Sequence, residues 1–90
     1  MKVIWKCKVT SELEQELLLP MDHTILKADY FNGDFCLWVL VDPTSPKSNY
    51  MFYTFGTGEQ ISIDNEIEYI DTFYYQKRFV FHMFKEKESK

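Results

Sequence analysis

An Asn-Gly pair between two runs of β-prone residues is the feature that most limits what this chain can fold into. The runs are Ile25–Phe31 and Phe35–Val41, and Asn32-Gly33 joins them. Both central residues of a tight hairpin turn need positive φ, which Asn and Gly adopt at little cost. The sequence therefore predicts an antiparallel hairpin. Its second arm is apolar on both faces, which is typical of a central strand covered on two sides or facing a neighbouring subunit.

Further β-prone runs lie on both sides of this hairpin and are separated by short polar, proline- or glycine-containing segments. They are Lys2–Val9, 50–55, 67–75 and 78–84, with a short turn at Gln76-Lys77 between the last two. Six or seven short strands predict an all-β fold, a small antiparallel sandwich or barrel-like domain. We expect one domain over residues 1–85 and a frayed, charged tail over residues 86–90.

The segment after the first strand fits two structures. Ser11 and Glu14 match a capping box, which would start a short helix over residues 11–18. The leucine run that ends at Pro20 fits a short strand equally well. We expect a turn over Thr10–Glu14 followed by a strand, with the helix as the alternative.

The composition limits the classes of partner. Aromatic residues make up 18% of only 90 residues, more than one small core needs, so we expect some of them at a subunit contact of a homo-oligomer. A net charge of −4 argues against long nucleic acids, although a local cationic cluster can still hold one small phosphorylated ligand.

No apolar run is long enough to span a bilayer, so we expect no membrane association and a place in the cytoplasm. Cys7 and Cys36 lie far apart without CxxC spacing, which fits free thiols better than a disulfide or a zinc site. We expect neither a metal nor a cofactor.

The segment Phe55-Gly56-Thr57-Gly58-Glu59 is the first candidate for ligand binding. Two glycines let backbone N–H groups approach an anion or a base edge, and the Thr57 hydroxyl can donate to phosphate. The pattern is neither a Walker loop nor a dinucleotide fingerprint, because both need a longer glycine pattern and a following helix. The alternative is a plain bulge or tight turn at the end of a strand.

Arg78, the only arginine in the chain, is the second candidate. A guanidinium flanked by aromatic residues can stack on a purine and bind a phosphate with two donors. Trp38, Tyr53, Tyr74 and Tyr75 offer planar surfaces of the kind that hold bases. The alternative is an exposed arginine beside tyrosines that pack in a subunit interface.

The two histidines do not predict catalysis. His82 lies inside a strand and His23 in a loop, and the sequence places neither a nucleophile nor an orienting group beside them. Known hydrolase, metalloprotease and kinase motifs do not occur. We therefore expect a binding protein and not an enzyme.

Three groups of residues together resemble a widespread family of roughly ninety-residue proteins encoded by tailed phages and prophages. They are the segment 36–43 (CLWVLVDP), the turn 55–58 (FGTG), and the spaced residues Tyr69, Ile70, Thr72, Val80, His82 and Phe84. The resemblance covers nearly the whole chain. In the family pattern a His commonly follows the second glycine, and Glu59 stands there instead.

Such phage proteins are similar to anti-CBASS sponges, which sequester cyclic dinucleotide signals of bacterial defence without cleaving them. The resemblance implies an immune-evasion protein in the host bacterial cytoplasm, a homotetramer with ligand pockets between subunits. Gly56, Thr57 and Gly58 would then meet a phosphate or a base edge, Arg78 would neutralise charge, and Trp38 or tyrosines would stack on the bases.

The full set of candidate ligand-binding residues is Trp38, Tyr53, Phe55, Gly56, Thr57, Gly58, Glu59, Tyr74 and Arg78. The alternative function is a protein-protein interaction module, which would block or adapt a host or phage protein through exposed aromatics or a sheet edge.

Overall fold

The computed structural model describes residues 1–87, which form seven β-strands and no helix. In chain order the strands are β1 (Val3–Val9), β2 (Glu14–Pro20), β3 (His23–Phe31), β4 (Asp34–Val41), β5 (Lys47–Gly56), β6 (Ile67–Tyr75) and β7 (Phe79–Glu86). The predicted all-β class is confirmed. Strand β7 runs one residue past the predicted domain end at residue 85, and residues 88–90 of the predicted tail lie outside the described part.

The strands form two antiparallel sheets that pack face to face as a sandwich. Sheet A has the order β1-β4-β3, and sheet B has the order β2-β5-β7-β6. Side chains alternate between the two faces of each strand, so one face of each sheet points inward. The buried core residues come from both sheets: Val9, Leu19, Ala28, Leu37, Val39, Val41, Phe52, Phe73 and Met83.

The Asn-Gly hairpin predicted from the sequence joins β3 to β4. Phe31 pairs with Asp34, and the two residues between them have positive φ, 50° at Asn32 and 84° at Gly33. These are the backbone angles that a two-residue hairpin turn needs. The hairpin prediction is confirmed.

The segment with two predicted structures forms strand β2, so the helix over residues 11–18 is wrong. The turn before the strand is closed by Gln15, whose amide accepts from the Thr10 N–H at 3.1 Å and donates to the Thr10 carbonyl at 2.8 Å. Strand β2 then pairs with β5 over seven residues. Pairing with β5 gives hydrogen-bond partners to backbone groups along the whole segment, whereas a short helix would leave the N–H groups of its first turn dependent on a cap.

Strand β4 lies in the centre of sheet A, as its two apolar faces predicted. Leu37, Val39 and Val41 are fully buried in the core. Trp38 alternates with them and therefore points to the outer face of sheet A, where its ring packs edge-on against Phe31 at 5.9 Å. Trp38 thus lies on the side of the sandwich that faces away from sheet B.

One edge of the sandwich is closed by a side chain. The β6 ladder has an irregularity between Tyr69 and Asp71, and the β3 ladder has one between Ile25 and Lys27. Asp71 Oδ2 accepts a hydrogen bond from the Ala28 N–H of sheet A at 3.0 Å. This bond ties the edge strands of the two sheets together.

A buried lysine stands on the inner face of sheet B, near the start of β5. The Lys85 ammonium lies 3.2 Å from His23 Nε2, 3.9 Å from a Glu68 carboxylate oxygen and 4.9 Å from the centre of the Tyr50 ring. His23 Nδ1 lies 2.7 Å from the Pro20 carbonyl oxygen and donates to it, so Nε2 is the nitrogen that accepts from the ammonium. The hydrogen bond to His23 and the negative charge of Glu68 together offset the desolvation cost of burying this ammonium.

Candidate functional site

The Gly56-Thr57-Gly58 turn lies against strand β7. Gly56 pairs with Phe81 at the end of the β5–β7 ladder, and the Thr57 N–H donates to the Val80 carbonyl at 3.1 Å. Gly58 has a φ of 93°, which explains a glycine at this position. The turn therefore fixes the Thr57 side chain beside the outer face of sheet B.

The backbone donors of this turn are mostly occupied by the chain itself. A Glu59 carboxylate oxygen accepts from the Gly56 N–H, and the Glu59 N–H donates back to the Gly56 carbonyl at 3.1 Å. Together with the Thr57 bond to Val80, this leaves neither the Gly56 nor the Thr57 N–H available to an anion. The expectation that these two N–H groups bind an anion is wrong, because the Glu59 carboxylate accepts from Gly56 and the Val80 carbonyl accepts from Thr57.

His82 is the centre of a hydrogen-bonded cluster on the outer face of sheet B, which we call the His82 cluster: Thr57, Tyr69, Thr72 and His82. Thr57 Oγ1 lies 2.8 Å from His82 Nε2, and Thr72 Oγ1 lies 3.0 Å from His82 Nδ1. The Tyr69 hydroxyl lies 2.7 Å from Thr72 Oγ1. Three elements, namely the glycine turn, β7 and β6, thus contribute to one chain of hydroxyls and imidazole.

A β-bulge is what allows Tyr69 and Thr72 to meet. Residues three apart in a regular strand point to opposite faces. The irregularity between Tyr69 and Asp71 inserts one residue, so Tyr69 and Thr72 both lie on the outer face. A regular β6 would have placed only one of them beside His82.

The His82 cluster has polar groups that a ligand can use. A neutral imidazole has one donor and one acceptor, so one threonine hydroxyl donates to the ring and the other accepts from it. Thr57 and Thr72 are both exposed, and Tyr69 is 58% exposed. Residue chemistry alone does not predict that His82 has partners on both sides. Tyr69, Thr72 and His82 nevertheless all belong to the spaced pattern that carries the phage-family resemblance.

Tyr74 and Arg78 lie at the same end of sheet B as the glycine turn. Tyr74 pairs with Val80, the residue that accepts from Thr57, and its side chain is 68% exposed on the same face as Thr72. Arg78 lies in the exposed turn two residues before Val80, with its guanidinium 5.7 Å from the centre of the Phe79 ring. Tyr74 therefore shares the face of the His82 cluster, whereas the Arg78 guanidinium lies over Phe79, whose side chain points to the opposite, core-facing side of sheet B.

Three predicted site residues are placed differently. Phe55 is 3% exposed and packs under the cluster against Phe84, with 5.9 Å between ring centres. Tyr53 is 4% exposed, and its hydroxyl accepts from Asn65 Nδ2 at 3.3 Å. Both side chains are buried, so the prediction that Tyr53 offers an open stacking surface is wrong. Trp38 lies on the outer face of sheet A and cannot reach this site within one chain.

The groups with shifted pKa values lie elsewhere in the fold. Partial burial raises the pKa of the Cys7 thiol on β1, which disfavours the reactive thiolate. The hydroxyl and the backbone N–H of Thr44 both donate to Asp42 and hold the pKa of that carboxyl below its usual range. Both cysteines are free thiols. Residues 1–87 contain no group of three or more potential metal ligands, nor a helix that could cross a membrane.

A family model described as a domain of unknown function, DUF7352, matches residues 1–90. The chain belongs to the DUF7352 family. No curated protein and no solved structure matches it. The His82 cluster and its surroundings are therefore the features of this DUF7352 chain from which a function can be inferred.

Proposed function

We propose that this protein binds a small phosphorylated nucleotide, of the cyclic dinucleotide class, at the His82 cluster and sequesters it without cleavage. One observation carries the proposal. An exposed chain of hydroxyls and imidazole lies at the same sheet end as an exposed phenol, Tyr74, and the chain's only guanidinium, Arg78.

Each group matches a part of such a ligand. When His82 Nε2 donates to Thr57 Oγ1, the Thr57 hydroxyl proton is available to a phosphate oxygen, and Arg78 offers a charge-assisted bond with two donors. Stacking of a base on Tyr74 would contribute about 1–3 kcal/mol. The backbone donors that Glu59 occupies are not needed for these contacts.

The surroundings of His82 favour binding over turnover. Thr57, His82 and Thr72 have the spacing of a nucleophile, a base and an orienting group. A threonine hydroxyl orients the ring but cannot stabilise an imidazolium as a buried carboxylate does, and loss of that carboxylate charge costs a catalytic triad about 10⁴ in kcat. A sequestering protein needs no such stabilisation.

A cyclic dinucleotide has two bases and two phosphates, so two copies of this site related by symmetry would match it. This is the role that a homo-oligomer, such as the tetramer implied by the phage-family resemblance, would serve. In the host bacterial cytoplasm, such capture would make the protein an immune-evasion factor of a phage. In such an oligomer, the indole of Trp38 can reach the site only from a neighbouring copy of the chain.

The test is calorimetric titration of the purified protein with a panel of cyclic dinucleotides, followed by mass spectrometry of the recovered ligand. We expect binding by at least one member, recovered intact. Thr57→Val and Arg78→Gln should each weaken binding about tenfold or more, since each removes one polar contact to phosphate. Thr24→Val, an exposed strand threonine on sheet A, is the matched control.

Two results would reject the proposal. One is the lack of heat and of any rise in melting temperature with every member of the panel, because a ligand that binds the folded state must stabilise it. The other is an equal affinity for the Thr57 and Thr24 variants. Recovery of a hydrolysed ligand would instead assign the Thr57–His82–Thr72 arrangement to catalysis.

A further inference from the structure

A cleft of about 810 Å³ opens at the other end of sheet B, beside the first half of β5. Strand β5 pairs with β2 over Lys47–Tyr53, but with β7 only over Phe52–Gly56. No strand within residues 1–87 pairs with the first half of β5 on the β7 side. The cleft lies where that neighbour would be.

The cleft lies along the edge of β5 and not over one of its faces. Ser48, Asn49, Tyr50 and Met51 all line it. Successive side chains of a strand point to opposite faces, so a cavity over one face would be lined by alternate residues only. Four consecutive lining residues indicate that the backbone itself faces the cleft.

The hydrogen-bond alternation of an antiparallel sheet identifies which backbone groups face it. The Thr54 N–H donates to the Leu13 carbonyl at 3.0 Å, on the side of β2. Alternate residues of a strand direct their backbone groups to the same neighbour. Phe52, Tyr50 and Ser48 therefore bond towards β2, whereas Asn49 and Met51 face the β7 side. The Phe52–Lys85 pair ends the β7 ladder with a bond from the Glu86 N–H to the Met51 carbonyl, so the groups that face the cleft are the N–H and carbonyl of Asn49 and the N–H of Met51.

The far wall of the cleft is acidic. Glu66, Glu86 and Lys87 line it, and the Lys87 N–H donates to the Glu66 carbonyl at 2.8 Å, which ties the end of β7 to the start of β6. The Lys87 ammonium lies 4.0 Å from a Glu66 carboxylate oxygen at the exposed rim. This pairing leaves Glu86 as the excess charge, in a chain whose net charge is −4.

We propose that this cleft binds an extended, basic peptide segment of another protein, which adds as a strand to β5 through the N–H and carbonyl of Asn49 and the N–H of Met51. Strand addition draws its affinity from main-chain hydrogen bonds and its specificity from alternate side chains. The methionines Met21 and Met51 supply adaptable apolar contacts, and Glu86 selects for a cationic side chain. A nucleotide phosphate would be repelled by the same wall, so this site is independent of the His82 cluster.

The test is selection of displayed random peptides of about six residues, a usual strand length, on the full chain. Enriched peptides should alternate β-prone residues with Lys or Arg. Asn49→Pro removes the N–H that faces the cleft while the β2 ladder keeps its bonds, so the fold should survive, as circular dichroism would show. It should weaken the selected peptide about tenfold or more. Asn49→Ala, which keeps the N–H, should bind like the parent.

A second variant tests the charge without touching the backbone. Glu86→Lys should lose affinity for the basic peptide and gain it for one with Glu in place of Lys. Both variants should leave nucleotide binding at the His82 cluster unchanged. A selection without enrichment, equal binding by the Pro and Ala variants, or a preference for acidic peptides would each overturn the proposal.

Discussion

The two ends of sheet B treat their backbone hydrogen-bonding groups in opposite ways. At the glycine-turn end, the Glu59 carboxylate and the Val80 carbonyl accept from the Gly56 and Thr57 N–H groups, and only side chains face outward. At the cleft end, β5 continues past its ladder with β7, and within residues 1–87 no strand accepts from the N–H groups of Asn49 and Met51, which point away from β2. The end with the glycine motif has its Gly56 and Thr57 N–H groups occupied, and the end with unoccupied N–H groups has no sequence motif.

This difference shows that glycines do not by themselves make an open anion site. A glycine removes the Cβ, but an N–H remains free only when no nearby carbonyl or carboxylate accepts from it. Glu59 supplies that acceptor three residues after Gly56. An unpaired edge, by contrast, arises from the lengths of two strands, and a sheet edge with free groups is a template for another chain.

The largest effect is expected at the residue where the two ends meet. Phe52 pairs with Lys85 in the last pair of the β5–β7 ladder before the cleft, and it is fully buried. Phe52→Ala should lower the free energy of unfolding by about 3–5 kcal/mol, because it removes apolar contacts and leaves a cavity. Urea unfolding followed by circular dichroism measures this change.

The control for this substitution is Tyr74→Ala, on the exposed face of the same sheet. It should change the free energy of unfolding by no more than about 0.5 kcal/mol. Similar losses for the two variants would mean that sheet B is not anchored at the Phe52–Lys85 pair, and that the two ends do not share one core.

A smaller effect is expected when the closed end is opened. Glu59→Ala frees the Gly56 N–H and should cost about 0.5–1.5 kcal/mol, the usual net worth of one hydrogen bond. It should also increase the affinity of the turn for sulfate, measured by chemical-shift titration of the Gly56 amide. Glu59→Gln keeps an oxygen acceptor and should behave like the parent chain. Equal sulfate affinity in the Ala and Gln variants would show that the carboxylate does not close this end.

The strands were largely predictable, because their signals are local. The Asn32-Gly33 turn and the alternation of β1 needed no tertiary information. The order β2-β5-β7-β6 did not follow from any pattern, since strands distant in sequence pair through contacts that only the folded chain makes. The choice between helix and strand for residues 14–20 was decided by pairing with β5.

The candidate site was predictable only in part. The turn and Tyr74 were identified from residue chemistry and lie at one end of sheet B on one face, whereas the Arg78 guanidinium lies at that end over Phe79 on the other face. The role of Tyr69 was not visible, because the bulge before Asp71 changes which face it shares with Thr72. Trp38 and Tyr53 were assigned by residue type, but Trp38 belongs to sheet A and Tyr53 is buried in sheet B.

Amide hydrogen exchange along β5, measured by NMR, tests the contrast between the two ends most directly. Tyr50, Phe52, Gly56 and Thr57 should exchange slowly, because each N–H has an acceptor within the chain. Asn49 and Met51 should exchange much faster than Tyr50 between them, because their N–H groups face the cleft. Slow exchange at Asn49 and Met51, or fast exchange at Gly56 and Thr57, would contradict the account.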